Sequence, residues 1–172
     1  MEYGLTASTI ERTNFHKYPT GIESDYRFVW EVNYATVCRK KFLIIVNSDT
    51  RYSMIYANVK PGVWKDMAKF IHQAIEDAFL KEGFHQKQID KYFKLAGNEI
   101  LTKTHGKKAI GGLNHITNYV YYLLDECTDE MFQTELTQWF NKELCNTALH
   151  PERPYLIPYE YFRMRMNELL SE

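Results

Sequence analysis

The sequence predicts an α+β domain: a small antiparallel sheet with a hairpin, packed by one long helix and followed by a helical C-terminal extension. Three observations carry this reading. Phe28, Trp30, Val32 and Tyr34 alternate with Val29, Glu31 and Asn33, the period of two that a half-buried strand requires. Lys41 to Val46 and Met54 to Val59 form two further apolar strands. Between them lie the turn formers Asn47-Ser48-Asp49-Thr50, whose short side chains bond their own backbone, so the two runs should pair as an antiparallel hairpin. Finally, Trp64, Met67, Phe70, Ile71, Ala74, Ile75, Ala78 and Phe79 recur at three and four residues. That spacing describes a long amphipathic helix, closed by Gly83.

The other elements follow in chain order. Lys60-Pro61-Gly62 stops the sheet, because proline cannot donate to a strand ladder. Gln86 to Ala96 places Ile89, Tyr92, Phe93 and Ala96 on one helical face and ends at Gly97. Glu99 to Thr104 reads as a short returning strand. A glycine-rich basic loop, His105 to Gly112, leads into Leu113, Ile116, Tyr119, Val120, Leu123 and Leu124, which repeat with helical spacing. Thr128-Asp129-Glu130 is a helix-start pattern, with Met131, Phe132, Leu136, Trp139, Phe140 and Leu144 on one face of the helix it predicts. Pro151, Pro154 and Pro158 force an extended connection before a last helix with Tyr159, Phe162, Met166 and Leu169 inward. The expected division is an α+β core over residues 1–126 and a helical extension over 127–172, packed on or beside it.

Composition bounds the function. With 172 residues, 45% hydrophobic and 15% aromatic, the chain can bury one core, which makes one domain plus an extension the default. A formal charge of -1 provides no global attraction to nucleic acid, so any such contact must be a local patch. Cys38, Cys127 and Cys145 are odd in number, lack C-x-x-C spacing and follow no signal-peptide pattern, so a reduced, cytoplasmic protein is expected. No apolar run approaches the roughly 20 residues of a membrane span. Charge is unevenly placed, however. Arg39, Lys40, Lys41, Arg51, Lys60, Lys65 and Lys69 face only Asp49 and Asp66 between Thr36 and Lys69, whereas Ala109 to Asn141 holds Asp125, Glu126, Asp129, Glu130 and Glu135 with no Lys or Arg.

The loop from Thr104 to Asn114 is the first candidate site. Backbone amides at a helix start, with Lys107 and Lys108 adjacent, suit a phosphate group, although no Gly-Lys-Ser/Thr follows at P-loop spacing. His105 and His115 bracket the loop and could serve as base and acid in attack of a ribose 2′-hydroxyl on its phosphate, Lys107 or Lys108 stabilising the charge. Arg39, Lys40, Lys41, Arg51 and Tyr52 are expected to converge at a sheet edge or hairpin end, holding an RNA backbone and stacking a base. Lys103 and Asn114, flanking the basic loop, join that nucleic-acid-binding set. The same cations could instead only blunt an edge strand. Asp125, Glu126, Asp129 and Glu130 border an aromatic-rich C-terminal part and suit docking to a basic protein surface. His72 and Glu76 lie one helical turn apart, but no second His or Cys matches them, so they read as an exposed pair; no metal or cofactor is expected. No Ser-His-Asp or Cys-His pattern is recognisable.

Several motifs in order resemble a known family: Trp30 and Asn33, Arg39-Lys40-Lys41 opening an apolar strand, Val46-Asn47, Thr50-Arg51-Tyr52-Ser53, the long helix, Thr102-Lys103-Thr104, and Gly111 with Asn114. Through them residues 28–124 resemble a domain of unknown function of bacteria, plasmids and phages, related to the N-terminal part of plasmid ORF-3 proteins. That family's last motif usually reads Arg-Ser-Val-x-Gly-Ser-Met-Asn-Asp, against Lys108-Ala109-Ile110-Gly111-Gly112-Leu113-Asn114-His115 here. Chemistry requiring its serines or final Asp does not carry over. The resemblance implies an α+β domain often borne by mobile elements.

Three functions are therefore expected. The first is a counter-defence protein of a phage or plasmid that inhibits an RNA-guided nuclease by binding the nuclease or its guide RNA. The second is a small metal-independent ribonuclease using His105, His115 and Lys107. The third is a structural or self-associating module without catalysis.

Overall fold

The computed structural model describes residues 1–13, 17–147 and 149–171. One five-stranded sheet organises the chain, in the order β4-β3-β2-β1-β5: β1 (Glu2–Leu5), β2 (Val29–Val37), β3 (Lys40–Asn47), β4 (Ser53–Ala57) and β5 (Ile100–Lys103). Strands β2, β3 and β4 are antiparallel, but β1 runs parallel to both β2 and β5. The sheet is therefore mixed, not purely antiparallel, and the protein is mixed α/β. The N-terminal tetrapeptide Glu2-Tyr3-Gly4-Leu5 causes the difference, because it inserts between β2 and β5 and buries Tyr3 and Leu5 on one face. Glu2 and Gly4 alternate onto the other, as the pleat demands.

Two turns set the register. Strands β2 and β3 join through Cys38-Arg39, both at positive φ (47° and 68°), the two-residue geometry whose twist matches that of the flanking strands. The β3–β4 connection is stapled by Asn47, whose Oδ1 accepts from the Thr50 amide and the Thr50 hydroxyl, while its Nδ2 donates to the Arg27 carbonyl. Arg51 closes this turn at φ 63°.

Helices cover both faces. The first short helix, α1 (Ala7–Ile10), follows β1. The expected long helix is two: α2 (Pro61–Lys65) and α3 (Met67–Lys81) break at Asp66, whose φ of -136° and ψ of 62° lie outside helical space and whose side chain caps the Lys69 amide. Helix α4 (Gln86–Ala96) ends at Gly97, where φ is 67°. Helix α5 (Gly111–Tyr119) tightens into a 3-10 segment over Val120–Glu126 instead of continuing as one helix. Helix α6 (Thr134–Lys142) starts later than the Thr128-Asp129-Glu130 pattern predicts, because the Ala57 amide donates to the Met131 carbonyl and the Gln133 amide to that of Ile55, extending the chain along β4. A two-residue ladder, β6 (Cys145–Asn146) with β7 (Tyr155–Leu156), precedes α7 (Pro158–Ser171).

The inner side chains divide accordingly. Tyr3, Trp30, Leu43, Ile45 and Met54 pack with Ile71, Ile75 and Phe79 of α3, Ile89 and Tyr92 of α4, and Phe162 and Met166 of α7. Phe42, Ile44, Val46 and Ile55 pack on the opposite face with Leu113 and Ile116 of α5 and Leu136 and Phe140 of α6. The C-terminal helices thus complete both layers. Phe162 stacks on Tyr52 at 4.4 Å and meets Phe79 edge-on at 5.1 Å, while Asp49 holds Arg165 at 2.9 Å and His150 at 3.0 Å. No helix among the described residues is long and apolar enough to cross a membrane.

Candidate functional site

The face carrying α5 bears the polar chemistry, and it is built around two buried charges of opposite sign. Glu31 of β2 pairs across the ladder with Val46 and stands beside Gly4 of β1. Gly4 is required there, since a Cβ would lie 2.2 Å from the Glu31 carboxylate. The Glu31 Oε1 atom accepts from the His105 backbone amide at 2.9 Å and meets His105 Nδ1 at 2.8 Å, while His105 Nε2 reaches Glu2 Oε2 at 2.6 Å. Exposure of the three side chains is 0% for Glu31, 3% for His105 and 10% for Glu2. Burial pulls the imidazole pKa down, but its hydrogen bonds to Glu31 and Glu2 outweigh that effect and leave it raised. Burial likewise pushes Glu2 up, and the His105 and Ile22 hydrogen bonds bring it to a net lowered value. Gly21 closes the cluster, since a Cβ there would fall 2.3 Å from the His105 ring.

Arg51 is the second buried charge, at 4% exposure. Its Nη1 donates to the Ala109 carbonyl at 2.6 Å and its Nη2 to the Lys108 carbonyl at 2.7 Å, tying the basic loop onto the β3–β4 turn. Burial pulls its pKa down while Cys145, Glu31 and Asp49 pull it back, and the guanidinium stays cationic. Its Nε has no partner among the described residues, and neither does Glu31 Oε2. Gly111 and Gly112 let α5 start against this side chain: Cβ atoms there would lie 3.1 Å from Arg51 Nη2 and 2.8 Å from Arg51 Cδ.

A cavity of about 390 Å³ opens at this point. Arg51, Lys107, Lys108, Gly111, Gly112 and His115 form one side, and Ile116, Phe140, Glu143, Cys145, Asn146 and Pro158 the other. Lys107 and Lys108 are exposed. Burial lowers the His115 pKa, which keeps the ring neutral at pH 7, and burial outweighs the nearby Arg51 to push the Cys145 thiol up to about 11. Cys145 is thus a thiol, not a nucleophilic thiolate, at neutral pH. A second cavity, of about 410 Å³ between α3 and β4, is walled by Tyr52, Tyr56, Phe70 and Phe132.

The residues singled out in the sequence are only partly brought together. Lys107, Lys108, His115 and Arg51 line one cavity, and Asn114 sits exposed one position before His115 on α5. His105 faces inward instead, enclosed by its two carboxylates and absent from the cavity wall, so it does not share a site with His115. Arg39, Lys40 and Lys41 do not converge with Arg51 and Tyr52: they sit at the other end of β3, which at about 3.3 Å per residue is roughly 20 Å away. Tyr52 is buried, stacked on Phe162 and donating to Glu82 at 2.7 Å, so its ring is closed to a base. Lys103 is exposed on edge strand β5, its amide donating to Pro19. Asp125, Glu126, Asp129 and Glu130 are all exposed, and Lys40 donates to the Leu124 carbonyl, so the basic and acidic runs meet at one corner. His72 pairs with Glu99 at 2.6 Å, not with Glu76.

Sequence reasoning missed Glu2, Glu31 and Gly4. Glu31 was legible only as an outward member of an alternating strand, and its burial depends on β1, α5 and the loop before it. A family model described as "Domain of unknown function (DUF6933)" matches residues 5–160, which takes in both layers and the cavity. No curated protein and no solved structure matches the chain.

Proposed function

The chain belongs to that family, the domain of unknown function DUF6933, and from this premise we propose that it binds RNA through phosphate contacts in the groove formed by Arg51, the basic loop and the start of α5. One observation carries the reading: Lys107, Lys108 and the buried Arg51 face a single cavity at the amide end of a nine-residue helix. The helix dipole favours an anion there, and the exposed lysines add positive charge. The finer reading makes the protein a counter-defence factor of a phage or plasmid. In it, Asp125, Glu126, Asp129 and Glu130 dock on the cationic channel of an RNA-guided nuclease while the groove engages the guide RNA. Support comes from the mobile-element resemblance and from the exposure of that acidic run beside Tyr121 and Tyr122.

The ribonuclease reading keeps one observation in its favour. His115 lines the groove near Lys107 and is neutral at pH 7, the state a general base needs. Among the described residues, no second histidine lines the groove.

Both readings meet in one experiment, titration of a structured RNA at several salt concentrations with chelator present, followed by a denaturing gel. Binding is expected without cleavage. Lys107→Ala with Lys108→Ala should weaken it and flatten the slope of log K against log salt, by roughly 0.7 for each phosphate that is no longer neutralised on a single strand. An unchanged slope would remove the groove from RNA binding. RNA shortened by the wild type but not by His115→Ala would favour catalysis.

A further inference from the structure

We infer that the groove is a site for one phosphorylated nucleoside, held by its phosphomonoester, and not a track for continuous backbone. The inference rests on the RNA-binding reading above and specifies what the groove recognises.

Positive charge in the groove is concentrated on one point. Among the described residues, Arg51, Lys107 and Lys108 are the cations that line the cavity, while Lys103 stands outside it on β5 and Arg39 to Lys41 lie at the far end of β3. Three positive charges and a helix start gathered in this way match one doubly charged phosphate. A strand several nucleotides long needs its cations strung along a path.

Arg51 also carries a buried donor with nothing to bond. Its Nη1 and Nη2 are taken by the Ala109 and Lys108 carbonyls, but its Nε–H has no acceptor among the described residues. A buried, unpaired guanidinium N–H carries a desolvation cost that an anion entering beside Gly111 and Gly112 would relieve. The two glycines let the start of α5 pack directly against the Arg51 side chain, since a Cβ on either would crowd it.

The opposite wall suits the rest of a nucleotide. Ile116, Phe140 and Pro158 offer apolar surface, and Glu143 and Asn146 line the same wall. A carboxylate would repel a second phosphate, whereas it can accept from ribose hydroxyls or from the amino groups of a base. The volume of about 390 Å³ falls at the small end of the ~300–1,000 Å³ typical of single small-molecule sites, enough for one nucleotide unit.

The phosphomonoester could belong to a free nucleotide or to the end of an RNA strand, and the test separates them. Calorimetric titration of the full chain would compare one ten-nucleotide RNA with 5′-phosphate, 3′-phosphate or only hydroxyl ends, together with adenosine and uridine 5′-monophosphate and inorganic phosphate. A phosphorylated end is expected to bind at least tenfold tighter than the hydroxyl strand. The gain should vanish in Lys107→Ala/Lys108→Ala and persist in Arg39→Ala/Lys41→Ala; all four side chains are exposed, so both variants leave the core intact. Equal affinity for all three strands would overturn the inference while leaving RNA binding in place. Binding of the free nucleotides without any strand would support the nucleotide site and overturn the RNA reading. Inorganic phosphate competing as well as either nucleotide would overturn recognition of the nucleoside, and no binding by any probe would remove both proposals.

Discussion

Replacing His105 by alanine is expected to destabilise the fold by about 3–5 kcal/mol, the range for removing one partner of a buried ion pair. The substitution leaves Glu31 fully buried beside a carboxylate that has itself been stripped of its bridge. It also unties the strand β1, the Gly21 segment and the loop before α5 at one point. The pH dependence separates this from simple loss of packing. The His105 pKa is raised on folding, so its contribution is fully present below about pH 6.5, the value of an unperturbed histidine, and is lost as pH climbs through the raised folded value. Glu2 acts at the other end: its folded pKa is lowered, so its contribution is present above about pH 4.3 and is lost as pH falls through the folded value. Denaturant unfolding of wild type and variant at pH values from acid to alkaline should therefore show the largest gap between about pH 4.3 and 6.5, narrowing upward. A gap independent of pH would reduce His105 to a space-filling ring.

Arg51→Ala is the second large effect. It removes two charged hydrogen bonds, each worth about 1.5–3 kcal/mol, and leaves the Lys108 and Ala109 carbonyls without their donors. Glu31 also loses a buried cation whose field it shares. Loss of about 3 kcal/mol or more is expected, with amide exchange in residues 106–112 accelerated well beyond that of β3 and β4. Arg51→Lys should recover little, because an ammonium cannot span two carbonyls as a planar fork does. Full protection of the loop in Arg51→Lys would mean that charge alone holds it.

These two residues mark where the sequence was and was not readable. Strands β2 to β5 and helix α4 follow from periodicity and turn residues, because each is a local pattern. Strand β1 does not: four residues including Glu2 and Gly4 carry no lasting alternation, and their partners are the distant segments Val29–Val32 and Ile100–Lys103. The Cys38-Arg39 turn was hidden because neither residue is the glycine or asparagine that positive φ ordinarily selects. The late start of α6 was hidden for a different reason, since the competing partner of residues 131–133 is the edge of β4. At the site, the basic loop and Arg51 were visible as residue types, and Lys107, Lys108 and Arg51 do share a cavity. The inward turn of His105 was not visible, because it depends on two carboxylates distant in sequence. The separation of Arg39 to Lys41 from Arg51 follows from strand length alone, which places opposite ends of one eight-residue strand on opposite sides of the sheet.

If phosphate is bound where α5 begins, Gly111 and Gly112 report it from inside the groove, and nitrogen-15 amide spectra recorded during titration with a structured RNA are the most direct test. Saturable shifts of these two amides and of their neighbours, abolished in Lys107→Ala/Lys108→Ala, are the predicted result. Shifts confined to the Cys38-Arg39 turn, with Gly111 and Gly112 unmoved, would contradict phosphate binding in the groove.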